Sequence, residues 1–226
     1  MSKMSEGAVV KNYVLIFILL FIIPFAVTAG GQAEAVMPVS IDGIIEYYDG
    51  DVTVDNVPAE FGMKVKYGVV VKTGADSYCE VVFEGKNIFR IMESTIAEIR
   101  ISAEAPEIQL EKGAVAALFN KLDALTSNEP FRVKTQTTVA SVRGTAFFIK
   151  TIDTSTTYVC LCNGELELAE GDGNNAGDYS SGHHTAVYFK EADGITEVLE
   201  APMLYHSDED MESLADHIDE KIYWYY

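Results

Sequence analysis

Apolar residues fall at every second position along much of this chain. Ser77 to Phe83 sets Cys79, Val81 and Phe83 against Tyr78 and Glu80, and Thr95 to Ile101 sets Ala97, Ile99 and Ile101 against Glu98 and Arg100. A period of two places one set on a buried face and the other toward solvent, which predicts half-buried strands. Phe131, Val133 and Thr135 alternate with Arg132, Lys134 and Gln136 in the same way. Val159 and Leu161 lead through Asn163-Gly164 to Leu166 and Leu168, set between Glu165 and Glu167. Asn-Gly between two such runs predicts a hairpin turn. Asp49-Gly50, Gly62, Gly68, Gly74, Gly85 and Gly113 mark further turns, and segments of this length, bounded by glycine, belong to sandwiches and rolls. Gly113 to Leu122 is read as a strand between two sheets, although its alanines also suit a helix. The predicted class is all-β, an antiparallel β-sandwich or β-roll with one C-terminal α-helix.

That helix is predicted from Ser207 to about Tyr223. Ser207 is its N-cap, Asp208, Glu209 and Asp210 favour the positive end of the dipole, and Met211, Leu214, Ala215, Ile218 and Ile222 form one apolar stripe. The stripe needs a sheet to pack on, and Tyr223, Trp224, Tyr225 and Tyr226 then either complete that contact or form a surface for a partner. Glu170 to Gly182, rich in Gly, Asn, Asp and Ser, is a loop by composition. Glu170, Asp172 and Asn174 alternate as calcium ligands can, but the Gly and bidentate Glu of a calcium-binding loop are missing. Gly171-Asp172-Gly173 resembles a phosphate loop only superficially, since the third glycine falls at the wrong spacing and no helix pattern follows.

Charge and targeting narrow the function. With 16 Lys plus Arg against 35 Asp plus Glu, the 226-residue chain carries a formal charge of -19, which would repel nucleic acid. No charged residue lies between Asn12 and Ala33, and Val14 to Val27 is apolar throughout. This run has the length of a signal-peptide core and falls short of the roughly 20 residues that comfortably span a bilayer. Ala33-Glu34-Ala35 fits the small-x-small rule for cleavage after Ala35, and an uncleaved N-terminal anchor is the alternative. Either places the remainder outside the cytoplasm. No Cys stands near the end of the run to take a lipid.

Cys79, Cys160 and Cys162 are then the thiols of a chain in an oxidising compartment. Cys160 and Cys162 share a strand face, where a bridge between them would be strained and a bridge from one of them to Cys79 is easier. The simpler expectation is that at least two are small buried hydrophobes. No zinc-site spacing is legible. His183 and His184 are adjacent and would face opposite sides of a strand, while His206 and His217 stand at either end of the helix pattern, so the histidines are expected on the surface. No Gly-x-Ser-x-Gly, His-Glu-x-x-His or Cys-His pairing is legible. The expectation is no catalytic residue, no metal and no cofactor.

Between Lys134 and Lys150 the only charged residue is Arg143, inside Val139-Ala140-Ser141-Val142-Arg143-Gly144-Thr145-Ala146-Phe147-Phe148-Ile149. A guanidinium there must be clamped by carboxylates or carbonyls, or must serve as a binding contact. The stretch Val142, Arg143, Gly144, Thr145, Ala146, Phe147 resembles the hallmark of the FecR domain, preceded as in that family by Phe131-Arg132-Val133-Lys134-Thr135. Gly62, Gly68 to Ser77, the strand ending at Phe83, Ser94, Leu110 to Val115 and Gly164-Glu165-Leu166 follow the FecR order. The resemblance covers roughly Ile44 to Leu168.

The resemblance implies an extracytoplasmic all-β module, in founding members the periplasmic part of a regulator that passes a signal from an outer-membrane transporter to a sigma factor. Here only a short stretch precedes the apolar run, too little for a sigma-binding domain, so a stand-alone exported FecR-domain protein is expected. The expected division is an export or anchor segment at 1–35, a FecR-like β domain at 36–168, a loop with additional strands at 169–206, and the helix with its aromatic tail at 207–226. Val142, Arg143, Gly144, Thr145 and Phe147 are the structural or binding motif. A module binding an envelope protein partner through a sheet edge leads the functional readings. A glycan-binding module, with Tyr47, Tyr48, Tyr179 and Tyr188 as stacking platforms, is the alternative. A hydrolase or metal enzyme using His183, His184, His206 and His217 ranks last.

Overall fold

The computed structural model describes residues 39–120, 129–171 and 174–225, and the backbone alone at 143, 175 and 176. The export segment and its cleavage site lie outside the described residues, as do Asp172-Gly173 and Tyr226. Among the described residues no helix is long and apolar enough to cross a membrane.

The first half of the chain forms β1 (Gly43–Asp49), β2 (Val52–Val54), β3 (Val57–Pro58), β4 (Lys64–Val65), β5 (Val69–Thr73), β6 (Tyr78–Phe83), β7 (Asn87–Ile91) and β8 (Ile96–Arg100). It continues with β9 (Glu107–Phe119), β10 (Phe131–Lys134), β11 (Thr138–Asp153), β12 (Thr156–Glu170), β13 (Asn175–Ser181), β14 (Thr185–Ala192) and β15 (Ile195–Ala201), and ends in the helix α1 (Asp208–Asp216). The all-β reading with a C-terminal helix is what the structure shows.

Three long strands build two layers from one hydrogen-bonded ladder. The first part of β9 pairs with β8 and, in parallel, with β10, whereas its second part pairs with β7 and β11. The first part of β11 pairs with β10 and the last part of β12, and its second part pairs with β9 and the first part of β12. The two parts of β12 then pair with β14 and β13 respectively. Each long strand therefore bends from one layer into the other. The bends fall at glycines with left-handed backbone: Gly113 at φ +92, Gly144 at φ +60 and Gly164 at φ +112. A side chain is excluded at Gly113, where a Cβ would lie 2.1 Å from Thr95 Oγ1.

The interior between the layers is closed by aromatic rings from both. Phe89 of β7 stacks on Phe131 of β10 at 4.9 Å, and Phe119 of β9 stacks on Phe131 at 4.3 Å. Phe147, Ile149, Val159 and Leu161 point into this interior, while their neighbours Ala146, Phe148, Tyr158, Cys160 and Cys162 point out of it. That outer face is nonetheless buried, because α1 lays Met211 and Leu214 on it. A sheet covered on both sides needs near-continuous apolar sequence, which accounts for the uncharged run through β11. Each of those two helix side chains, fully buried, contributes roughly 1.5 to 3 kcal/mol.

Three local expectations are corrected. Asn163-Gly164 is no hairpin turn: β12 runs through it, and Gly164 uses its positive φ for the bend between layers. The segment expected as a loop from Glu170 to Gly182 contains β13, paired with β12 from Gly164↔Ser181 to Ala169↔Asn175. The helix stops at Asp216, well short of Tyr223, with His217 as C-cap and no basic residue in its last turn. Asp216, Asp219 and Glu220 crowd negative charge at the negative end of the helix dipole, which disfavours extension. The N-terminus matches expectation, with a capping box between Ser207 and Asp210.

Candidate functional site

The motif from Val142 to Phe147 occupies the bend of β11. Arg143 pairs with Glu165 and Ala146 with Asn163, so Gly144 and Thr145 oppose the single residue Gly164. This is a β-bulge, and Thr145 secures it: its hydroxyl donates to the Glu165 carbonyl at 2.6 Å and accepts from the Glu165 amide at 3.2 Å. A Cβ at Gly164 would stand 2.8 Å from the Gly144 carbonyl oxygen and from Thr145 Oγ1. Val142 and Phe147 are buried on either side. The Arg143 side chain, expected to be clamped or binding, lies outside the described residues. Beside the bend, Pro130, Ser141, Glu165, Glu167, Asp178 and Tyr179 line an acidic groove of about 570 Å³.

A second bulge compensates the first. Phe147 pairs with Leu161 directly after Ala146 pairs with Asn163, which leaves Cys162 as the extra residue of β12. Cys160 and Cys162 both emerge beneath α1, where four ligand-type atoms converge: the two sulfurs and one ring nitrogen each of His184 and His206, all within 4.8 Å of one another. Cys160 Sγ is 3.5 Å from His184 Nδ1, and Cys162 Sγ is 3.3 Å from His206 Nε2. Pairing of Cys160 with Ala186 and Leu161 with Thr185 brings the chain before β14, and so His184, alongside the cysteines. The strap from Pro202 to His206 is held over β12 by Tyr158, whose hydroxyl donates to the Pro202 carbonyl at 3.1 Å and accepts from the Leu204 amide at 2.8 Å.

The outward nitrogens of both imidazoles are engaged. His184 Nε2 meets Asp208 Oδ1 at 2.6 Å, and His206 Nδ1 meets the Leu204 carbonyl at 2.8 Å. His183 also reaches Asp208, at 3.0 Å. Asp208 belongs to the first turn of α1, so the helix end and the two histidines hold one another. Phe148 stacks on His206 at 4.6 Å and Trp224 on His184 at 5.2 Å. The tail that carries Trp224 is tied down by Asn163, whose amide donates to the Tyr223 carbonyl at 2.8 Å, and by Trp224 Nε1 donating to Glu212 at 2.7 Å. Trp224 thus completes the packing, while Tyr223 and Tyr225 turn their rings to solvent.

The two thiols differ in acidity. A hydrogen bond from Cys162, against the cost of burial and helped by His184 and His206, draws Cys160 down to about 4. Burial and then the neighbouring Cys160 push Cys162 well above the ordinary thiol range. His184 is raised: burial opposes its protonation, and hydrogen bonds to Cys160 and Asp208 outweigh that. Asp208 is lowered, its burial outweighed by the bonds to His183 and His184.

The expectation that the histidines lie on the surface is corrected for His184, whose side chain is 7% exposed. His183 and His184 also do not straddle a strand. They occupy the bend before β14, with His184 at φ +49, and both turn to Asp208. His217 stands apart, its Nδ1 2.6 Å from Glu80 and its ring stacked on Tyr47 at 4.0 Å. All three cysteines are buried and unbridged, and Cys79 belongs to the interior between the layers, away from the face of Cys160 and Cys162. The shared face of Cys160 and Cys162 was legible in the sequence. Their approach to two histidines was not, because it depends on the β12–β14 pairing and the strap.

Residues 69–167 match the family model described as FecR protein. No curated protein matches the chain. Two crystal structures of a candidate anti-sigma factor from Parabacteroides distasonis ATCC 8503, at 1.65 Å and 2.50 Å resolution, align with TM-scores of 0.45 at 13% and 12% identity, and 58% of this chain spans 58% of theirs. The family match takes in every strand from β5 to β11 and the greater part of β12, including the bulge of Val142 to Phe147, so this stretch of the chain carries a FecR domain.

Proposed function

We propose that this chain is a non-enzymatic FecR-domain module, exported to the cell envelope, that binds a protein partner through the open edge of β15 as part of envelope signalling. The FecR family match supports a regulatory envelope role. The N-terminal apolar segment supports export. Both thiols of the Cys-His cluster are fully buried, which suits a structural role better than a nucleophile that must meet substrate.

The observation that carries the partner reading is the edge itself. Among the described residues β15 pairs with β14 and with no other strand, and its Ile195 is 72% exposed. Asp193 at φ 54 and Gly194 at φ 74 form a two-residue turn, and Ala192 pairs with Ile195 across it. That turn makes Ala192–Ile195 a hydrogen-bonded pair, so Thr196, Val198 and Glu200 direct their amides to the open side. Such an edge accepts an added strand. Exposed Glu197 and Glu200 favour a basic one. The tyrosines that could serve a glycan are largely taken up in packing: Tyr47 stacks on His217, Tyr188 meets Tyr158 edge-on, and Tyr179 packs on the interior.

A photo-crosslinking residue in place of Glu197, in the full chain expressed in its native host, tests this. The expected result is a discrete adduct with one envelope protein, lost on adding Thr196→Pro, which removes an outward amide and leaves the β14 ladder intact. Adducts no different from those of the same probe at exposed Glu60 would contradict it.

A further inference from the structure

We propose that Cys160, Cys162, His184 and His206 form a tetrahedral Zn²⁺ site that fastens the C-terminal segment to the β domain. The geometry is that of a zinc tetrahedron before the ion enters. With Zn–S near 2.3 Å and Zn–N near 2.0 Å, a sulfur and a nitrogen on adjacent corners lie about 3.5 Å apart. The two sulfur-to-nitrogen separations are 3.5 and 3.3 Å, and all four atoms fall within 4.8 Å of one another.

The tautomers suit the metal. Each imidazole gives its outward N–H to an acceptor, His184 to Asp208 and His206 to the Leu204 carbonyl, so each inward nitrogen keeps a lone pair for the ion. The carboxylate–histidine–metal relay so formed fixes ring orientation and raises ligand basicity. Asp208 itself is no ligand: 2.6 Å from His184 Nε2 is a direct hydrogen bond with no room for an ion between.

Charge balance favours the ion. Two thiolates, two neutral imidazoles and Zn²⁺ sum to zero net charge in the buried cluster, and any proton displaced from sulfur or nitrogen leaves to solvent. Two thiolates and two imidazoles in a closed tetrahedral set select zinc over hard cations. Phe148, Tyr158 and Trp224 wall the site, and both sulfurs are fully buried, so the position is closed to substrate and structural in kind. Its ligands come from β12, from the bend before β14 and from the strap before α1, so one ion ties the end of the chain to the central strands.

The test is a titration of the full-length chain, reduced and stripped of metal, with Co²⁺ and then Zn²⁺. One equivalent of Co²⁺ should give thiolate-to-cobalt charge-transfer and strong tetrahedral d–d absorption, bleached by one equivalent of Zn²⁺. Cys160→Ser together with Cys162→Ser should abolish the spectrum, and Cys79→Ala should leave it. Should the double variant fail to fold, Asp208→Asn provides the second reading: the tetrahedral spectrum persists and affinity falls roughly 10- to 100-fold. A spectrum without thiolate bands, an octahedral spectrum, one that survives the double serine substitution, or an affinity unchanged in Asp208→Asn would overturn the proposal.

Discussion

Cys162 on β12 and His206 on the strap meet at 3.3 Å although 44 positions separate them in the chain. The contact joins the strap before α1 to the central strand β12. A metal held there stabilises only the folded state. At free Zn²⁺ about 1,000-fold above Kd this is worth about 4 kcal/mol, and for a chain of this size on the order of 10 °C in Tm. A strong chelator should therefore lower Tm by about that amount and open the strap after β15 to limited proteolysis. Unchanged melting and an unchanged digestion pattern would contradict this.

Glu80 is fully buried on the face that α1 covers, and it accepts from Arg90 Nε at 2.6 Å while its other oxygen meets His217 Nδ1 at 2.6 Å. Arg90→Met leaves that carboxylate with one partner and should cost about 3 kcal/mol in urea unfolding. Arg90→Met combined with Glu80→Met removes the lone charge and should regain most of the loss. A double variant as unstable as the single one would show that the pair acts through packing and not through charge.

Gly164→Ala and Gly194→Ala separate strain from collision. Both glycines have positive φ, but a Cβ at Gly164 meets the Gly144 carbonyl and Thr145 at 2.8 Å, whereas a Cβ at Gly194 meets nothing within 4 Å. Backbone strain alone costs about 1 to 2 kcal/mol, so that is the expectation at Gly194. At Gly164 the bulge must also shift, and the loss should reach about 3 kcal/mol or more. Equal losses in thermal melts would mean that the bulge gives way freely.

The strands were legible because burial on one face leaves a period of two, as in β8 and β10; β6 alternates in the same way, but Glu80, expected toward solvent, is buried beneath α1. Asn163-Gly164 misled because the local signal for a hairpin and for a bend is the same, a residue tolerant of positive φ. Which one forms is decided by pairing partners that lie on β11 and β13. The polar composition of β13 reflects an edge strand with one exposed side. The Cys-His cluster left no spacing signature, since its ligands are gathered by β12–β14 pairing and by a strap whose course Tyr158 sets. A same-face Cys-x-Cys followed by a histidine just ahead of the next strand was the one available hint.

Burial and then the charge of Glu80 push the Cys79 thiol up to about 12 from 9.0. In the unfolded chain it ionises near its ordinary value, so between about pH 9 and pH 12 the folded state holds the extra proton. Stability that is fully present below that window is lost as pH rises through it, with a slope of up to about 1.4 kcal/mol per pH unit. Urea unfolding across alkaline pH should show a slope reduced in Cys79→Ala. Native-state alkylation should leave Cys79 unmodified, and rapid labelling of the folded chain at pH 8 would contradict its burial.

X-ray absorption at the zinc edge, on the full-length chain purified with its metal, reads the first shell of the Cys160, Cys162, His184 and His206 site itself. One zinc per chain is expected, with two sulfur neighbours at about 2.3 Å and two imidazole nitrogens at about 2.0 Å. A first shell of oxygen and nitrogen alone, or a folded chain that holds no zinc with its thiols reduced, would contradict it.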